Sequence, residues 1–296
     1  MHVRFWGTRG SLPTPGPDTL RFGGNTACVE VGTSAGTLIV IDGGTGLHAL
    51  GQEIVKSGKV RNGHLLISHT HWDHIQGIPF FAPFFMADSH WHIFAPKGFG
   101  SSIEETLAGQ MQYAYFPVRL DQMRARITFT ELVEGAFEIA DVRIRTQYLN
   151  HTALTLGFRL EADGAALVYA SDHEPYAMHL ASGKEPLSGK DLSHAEFAKD
   201  ADLLIHDGQF AADEYDRRVG WGHSPVAYAV AVARTARAAR LALTHHDPLR
   251  TDAELARLVE QQRLSEPEDS TVKDIFAATE GMLIELGIHR GRDLSQ

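Results

Sequence analysis

His64–Ser68 (HLLIS) reads as a buried strand that runs directly into His69-Thr70-His71-Trp72-Asp73-His74. Four groups able to bind metal therefore fall within six residues. Just after a strand, residues i and i+2 still project to the same side, so His69 and His71 reach one ion together. Asp73 and His74 follow once the chain has turned and face a second ion nearby. Imidazole with carboxylate suits zinc, and also manganese or iron. The 296 residues include 17 histidines and a single cysteine, Cys28. One cysteine excludes an intramolecular disulfide framework and any multi-cysteine zinc site, so histidine and carboxylate must hold whatever metal binds.

The pattern of strand followed by ligand recurs. Val142–Tyr148 alternates polar and apolar residues and leads to Asn150-His151. Ala166–Ala170 ends at Ser171-Asp172, Leu203–Ile205 at His206-Asp207, and Leu241–Thr244 at His245-His246-Asp247. Earlier, Ala27–Val31 and Thr37–Ile41 read as a hairpin whose second strand ends at Asp42. Ligands and catalysis gather at strand ends in α/β folds, so the recurrence predicts an α/β fold with one site along a common rim. Val3–Trp6, Leu154–Leu160 and Met282–Leu286 are further strands, Thr8–Gly24 is an ordered loop, and a helix runs from Leu47 to about Lys56. Capping boxes at Ser101/Glu104, Ser193/Glu196 and Thr251/Glu254 start helices, and Ser224 before Pro225 caps one that runs from Val226 to about Ala239. Two similar halves without a linker predict two βα layers packed face to face in one domain over residues 1–296. No apolar run approaches the roughly 18 residues of a membrane span, and the N-terminus has no signal-like stretch, so a soluble cytoplasmic protein is expected.

HTHWDH matches the HxHxDH signature of the metallo-β-lactamase superfamily. FWGTRGSLPTPG, FGGNTACVEV, IDGGTG, LNHT, YASDHEP and LTHHDP resemble successive blocks of its phosphodiesterase-like branch, so the resemblance covers nearly the whole chain. That branch includes cyclic-nucleotide and phosphoribosyl cyclic phosphodiesterases and the tRNA 3′-processing endonuclease ribonuclease Z. The resemblance implies a four-layer αββα sandwich with two divalent ions. His69, His71 and His151 would hold one, Asp73, His74 and His245 the other, and Asp172 would bridge them. Such a pair suits attack on phosphorus by a bridging hydroxide. His245 is preferred to His246 because the family's ligand comes first after the strand. His246 and His206 would stand behind the ligands or meet substrate. Asp42 and Asp247 read either as acceptors for ligand N–H groups or as ordinary turn residues. His223 precedes a predicted helix N-terminus, a place that favours phosphate. The ribonuclease Z-like blocks imply that Asp207 partners His223 and favours its imidazolium, although aspartate stands where that family has glutamate.

Three further features stay open. Phe80–Phe85 and Met111–Phe116 read as core or a subunit interface, or as an apolar wall that stacks a nucleobase. Arg234, Arg237 and Arg240 read as a solvated helix face, or as a phosphate stripe. His90 and His92 line an edge strand. The preferred function is hydrolysis of a small, cyclic nucleotide-type phosphodiester, catalysed by Asp73, His223 and Asp207 with the metals. The alternatives are a ribonuclease Z-like nuclease, a lactamase- or thioesterase-like hydrolase, and a metal-binding protein without activity. The complete ligand set opposes the last, and a bridging Asp172 opposes the common zinc β-lactamases. Against the nuclease, 27 Lys+Arg and 37 Asp+Glu give a net charge of −10, whereas a grip on long nucleic acid needs a basic surface. The insert Ile78–Leu132 is moreover aromatic rather than basic. Relatives in this branch are often dimers, so a homodimer is possible on resemblance alone.

Overall fold

The computed structural model describes residues 1–58, 62–98, 100–267 and 269–287. The strands, numbered in chain order, are β1 (His2–Gly7), β2 (Cys28–Gly32), β3 (Leu38–Ile41), β4 (Asn62–Leu66), β5 (His90–Pro96), β6 (Arg126–Leu132), β7 (Gly135–Ile139), β8 (Val142–Tyr148), β9 (Leu156–Ala162), β10 (Ala165–Ala170), β11 (Leu203–Asp207), β12 (Arg240–Thr244), β13 (Asp274–Ala277) and β14 (Leu283–Glu285). They form two mixed sheets of seven strands, ordered β14-β1-β2-β3-β4-β5-β6 and β13-β12-β11-β10-β9-β8-β7. The helices are α1 (Gly46–Ser57), α2 (Trp72–Ile75), α3 (Ile103–Gln110), α4 (Gly189–Phe197), α5 (Ala212–Tyr215), α6 (Val226–Ala236) and α7 (Asp252–Ser265).

Side-chain alternation explains the layering. On β3, Ile39 and Ile41 pack between the sheets with Phe158, Leu167 and Ile205, while Leu38 and Val40 face Leu47, Leu50 and Ile54 of α1. On the second sheet, Val168, Leu204 and Leu241 face Ala229, Val230 and Ala233 of α6. Strands covered on both faces read as continuous apolar runs, such as LIVI in β3 and AALVYA in β10. The result is the four-layer αββα sandwich. Among the described residues no helix is long and apolar enough to cross a membrane.

Several local expectations shift. The capping box before α3 is Ser102/Glu105, one residue later than expected, whereas Thr251/Glu254 caps α7 as read. Ser193 sits inside α4, where its hydroxyl donates to the Gly189 carbonyl 3.2 Å away rather than capping a helix. Pro225, not Ser224, caps α6, because the Ser224 hydroxyl is committed to the His173 carbonyl. That helix ends at Ala236, since Arg237 turns left-handed at φ 57°. His90 and His92 lie on β5, an internal strand flanked by β4 and β6. Phe81, Phe84 and Met111 are fully buried with Trp91 in the core under α1 and α3, so the aromatic stretches are mainly core; Phe80, Tyr113 and Tyr115 stay exposed. The arginine stripe dissolves as well: Arg234 pairs with Glu266, Arg237 with Asp200, and Arg240 belongs to β12.

Candidate metal centre

The carboxyl ends of β3, β4, β8, β10, β11 and β12 meet along one rim, and each is followed by or ends in a candidate residue: Asp42, His69, His151, Asp172, Asp207 and His245. Three of these take left-handed backbone, Asp42 at φ 61°, Asp172 at φ 59° and His245 at φ 58°. Asp and His are among the few non-glycine residues that enter this region readily, and such conformations collect at functional sites. The sharp turns carry the side chains inward instead of along the strand.

Among the described residues four overlapping groups of donor atoms result, two of them built around His223 (with His151 and Asp172, and with Asp207 and His245) and two without it. His69, His71 and His151 converge in one; Asp73, His74, Asp172 and His245 converge in the other, each set within 4.8 Å. Asp172 joins them. Its Oδ1 lies 3.8 Å from His69 Nε2 and from His151 Nε2 and 3.2 Å from His245 Nε2, while its Oδ2 lies 3.1 Å from His74 Nε2. His71 Nδ1 lies 3.1 Å from His151 Nε2, and Asp73 Oδ2 is 3.1 Å from His245 Nε2.

The outer nitrogens explain why the inner ones converge. His74 Nδ1 donates to Asp42 at 2.8 Å, His151 Nδ1 to the Gly222 carbonyl at 2.8 Å, and His245 Nδ1 to Gln209 Oε1 at 2.9 Å. His69 Nδ1 lies 3.1 Å from Ser68 Oγ, whose own proton goes to Asp42. With Nδ1 engaged, the Nε2 atoms of these four rings face one another, and each offers a lone pair once it carries no proton. His69 Nε2 and His74 Nε2 are buried without a hydrogen bond. Orphaned lone pairs converging beside two carboxylates are what a divalent cation requires, and Nδ1 partners of this kind fix tautomer and ring orientation. Asp42 also accepts from Ser68 N at 2.7 Å and from Tyr169 Oη at 2.7 Å, so one aspartate ties the two sheets together beneath the site. Ser11 N–H donates to Asp73 at 2.7 Å from a loop held by the fully buried Arg9. Sequence reasoning missed Ser11, Arg9, Ser68, Tyr169, Gln209 and Gly222, because their contribution is to orient other side chains.

Burial and charge oppose each other here. Burial alone would raise the Asp73 and Asp172 carboxyls and lower the imidazoles. The charges of His74 and His245 nevertheless hold both aspartates below the usual range. In return Asp172 and Asp73 outweigh burial at His74, which is pushed well up, and at His245, which rises to about 9. Burial wins at His69, His71 and His151, all lowered. The metal-free site therefore holds protons on His245 and His74 at neutral pH, and a metal ion must displace them. Zinc uptake at pH 7 is expected to release protons, and affinity should rise with pH through the range near 9 in which His245 loses its proton. Calorimetry in buffers of different ionisation enthalpy checks this; uptake without proton release contradicts it.

Residues 37–246 match the family model described as a Beta-lactamase superfamily domain. The chain belongs to that superfamily. A ribonuclease Z of Haloarcula marismortui is 26% identical over 321 aligned positions, 95% of this chain and 96% of its own. Two solved structures share the fold: the short form of human tRNase Z, at TM-score 0.66 and 19% identity with 96% and 99% of the two chains covered, and Zn2+-bound PqqB from Methylobacterium extorquens, at TM-score 0.68 and 15% identity with 97% and 100% covered. The chain is a metal-dependent hydrolase of the superfamily, and its strand-end cluster suits divalent metal.

Beside this candidate centre lies an acid–imidazole pair. His223 Nδ1 donates to Asp207 Oδ2 at 2.8 Å, so the shorter aspartate reaches where glutamate was the family pattern. Asp207 Oδ1 accepts from Gln209 N at 3.0 Å and Ser224 N at 3.2 Å, which fixes the carboxylate. The His223 ring stacks on His245 at 4.6 Å and lies 5.1 Å from that of His151. Asp42 accepts from His74, a candidate ligand, which is the first of the two readings open for it.

His206, His246 and Asp247 do not join the centre. His206 Nδ1 donates to the Asp207 carbonyl at 2.8 Å, and its Nε2 meets His194 Nε2 at 3.0 Å in the layer between sheet and helices. His246 donates to the Ala278 carbonyl at 2.9 Å and packs against Phe22; burial pushes it down to about 3, so it stays neutral. Asp247 accepts from Leu249 N at 2.8 Å and touches none of the candidate ligands, which makes it a turn residue. His173, unassigned from sequence, stacks on His194 at 3.8 Å, away from the metal cluster.

Proposed function

We propose that the chain hydrolyses phosphodiesters with two divalent ions, zinc preferred, and that its substrate is a small, cyclic nucleotide-type diester. One observation carries the reading: Asp172 stands between two sets of convergent donors, 3.1–3.8 Å from nitrogens of both. His69, His71 and His151 would hold one ion and Asp73, His74 and His245 the other, with Asp172 shared. Paired ions supply Lewis acidity that acidifies water and draws charge from the oxygens on phosphorus. His223, held at Nδ1 by Asp207, leaves Nε2 to protonate the departing oxygen. Relatives named ribonuclease Z support phosphodiester chemistry.

The small substrate is favoured by the net charge of −10 and by the insert. In the insert Trp91, Ile93, Ile103 and Leu107 are buried in the core, so its described part folds back onto the protein. The second reading, a tRNA-processing nuclease, is favoured by the 26% identity to a ribonuclease Z over 95% of this chain. Metal-loaded protein given 2′,3′- and 3′,5′-cyclic nucleotides beside a precursor tRNA separates them. The expected result is cleavage of a cyclic nucleotide with little dependence on salt. Cleavage of the tRNA alone, falling steeply as salt rises, replaces the small-substrate reading with the nuclease.

A further inference from the structure

The strongest unassigned feature is a buried carboxylate just outside the centre. Glu174, 7% exposed, accepts three hydrogen bonds: from Tyr215 Oη at 2.9 Å and Gly220 N at 2.6 Å on Oε1, and from Gly222 N at 2.8 Å on Oε2. Its backbone is pinned too. Glu174 N donates to the Asn150 carbonyl at 2.8 Å, and Asn150 Nδ2 donates to the carbonyls of Glu174 at 3.0 Å and Pro175 at 3.2 Å. Burial and the nearby carboxylate raise the Tyr215 phenol, which keeps it a donor.

Those bonds end on functional atoms. Gly222 presents its carbonyl to His151 Nδ1, and His223 is the next residue. Gly222 takes φ 87°, and a Cβ there would stand 2.2 Å from His151 Nδ1, so only glycine fits between loop and imidazole. Gly220 is also left-handed, at φ 85°. Two glycines give the loop after α5 little conformational preference of its own, and a charged acceptor facing three donors supplies the missing constraint.

We infer that Glu174 is a positioning residue that seats the Gly220–His223 turn on the metal centre, orienting His151 through the Gly222 carbonyl and His223 through the chain. The inference rests on the proposed function, in which His151 binds metal and His223 protonates the leaving oxygen. It reaches beyond that reading in assigning both orientations to one carboxylate that touches neither ring.

Glu174→Gln tests it, because it keeps the size but turns one acceptor into a donor facing another N–H. Zinc affinity is read by chelator competition, and turnover on an aryl and an alkyl phosphodiester by initial rates. The variant is expected to bind one of two zinc equivalents roughly 10- to 100-fold more weakly, as other partners of metal-binding histidines do. At saturating zinc its kcat on the alkyl diester should fall about tenfold more than on the aryl diester, with KM little changed, because only the alkoxide needs the proton from His223. Wild-type zinc affinity together with an unchanged aryl-to-alkyl ratio overturns the inference. Should Glu174→Gln fail to fold, Glu174→Asp keeps the charge, withdraws the oxygens by one methylene and gives the same readouts. If the wild-type protein cleaves neither diester, the proposed function fails, and zinc affinity alone decides the role of Glu174.

Discussion

Asp172→Asn is expected to lower kcat on any phosphodiester by roughly 1,000-fold or more, about 4 kcal/mol of transition-state stabilisation. Among the described residues Asp172 is the one carboxylate placed against both donor sets, and it is held ionised by His245, His74 and His69. Asparagine keeps the shape and tolerates the left-handed backbone at this position, so the fold should survive. What disappears is the negative charge that the two proposed ions would share. Elemental analysis should then find fewer than two metal equivalents after dialysis, and thermal unfolding should show a folded protein. A variant that keeps both ions and full turnover would remove Asp172 from the centre.

His223→Ala is expected to act differently, leaving metal content intact. General acid catalysis contributes roughly 100- to 10,000-fold when the leaving group is a poor one. kcat on an alkyl or nucleoside diester should therefore drop by about 100-fold or more, while a nitrophenyl diester, whose leaving group departs without a proton, should lose less than about tenfold. Asp207→Asn should follow the same pattern with smaller losses, because it weakens the bond that orients Nδ1 of His223. Equal losses on both substrates would mean that His223 binds the substrate and does not protonate the leaving group.

Much of this site was legible from residue order. HTHWDH behind HLLIS, and His or Asp at the ends of five further strands, depend on local chemistry and short spacings. Long apolar runs likewise marked the strands that are buried on both faces. Two kinds of feature were harder to read. Strands β6 and β7 lie at sheet edges, where polar and half-exposed residues blur the alternation, and β13 is only four residues long. The residues that orient the centre belong to distant segments, so spacing carries no trace of the Tyr169–Asp42 or Gly222–His151 bonds.

His206 was legible and misread. On β11, Ile205 faces the other sheet and Leu204 the helices, so a period of two sends His206 to the helix side. There it meets His194 of α4 and lies 6.1 Å, ring to ring, from Tyr228 of α6. Asp207, one residue on, returns to the rim. His245 and His246 are a different case. The left-handed turn at His245 breaks the strand's alternation, and no local pattern shows which of two adjacent imidazoles points inward.

As proposed, one carboxylate and two clusters of donors make a phosphodiesterase that needs two metal ions. Titrating metal-free protein with zinc while following hydrolysis of bis(p-nitrophenyl) phosphate tests that proposal most directly. Activity is expected to rise to a plateau near two equivalents per chain and to vanish on chelation. A plateau at one equivalent, or a fully loaded protein that leaves the phosphodiester intact while opening a β-lactam or cleaving a thioester, would contradict the proposal.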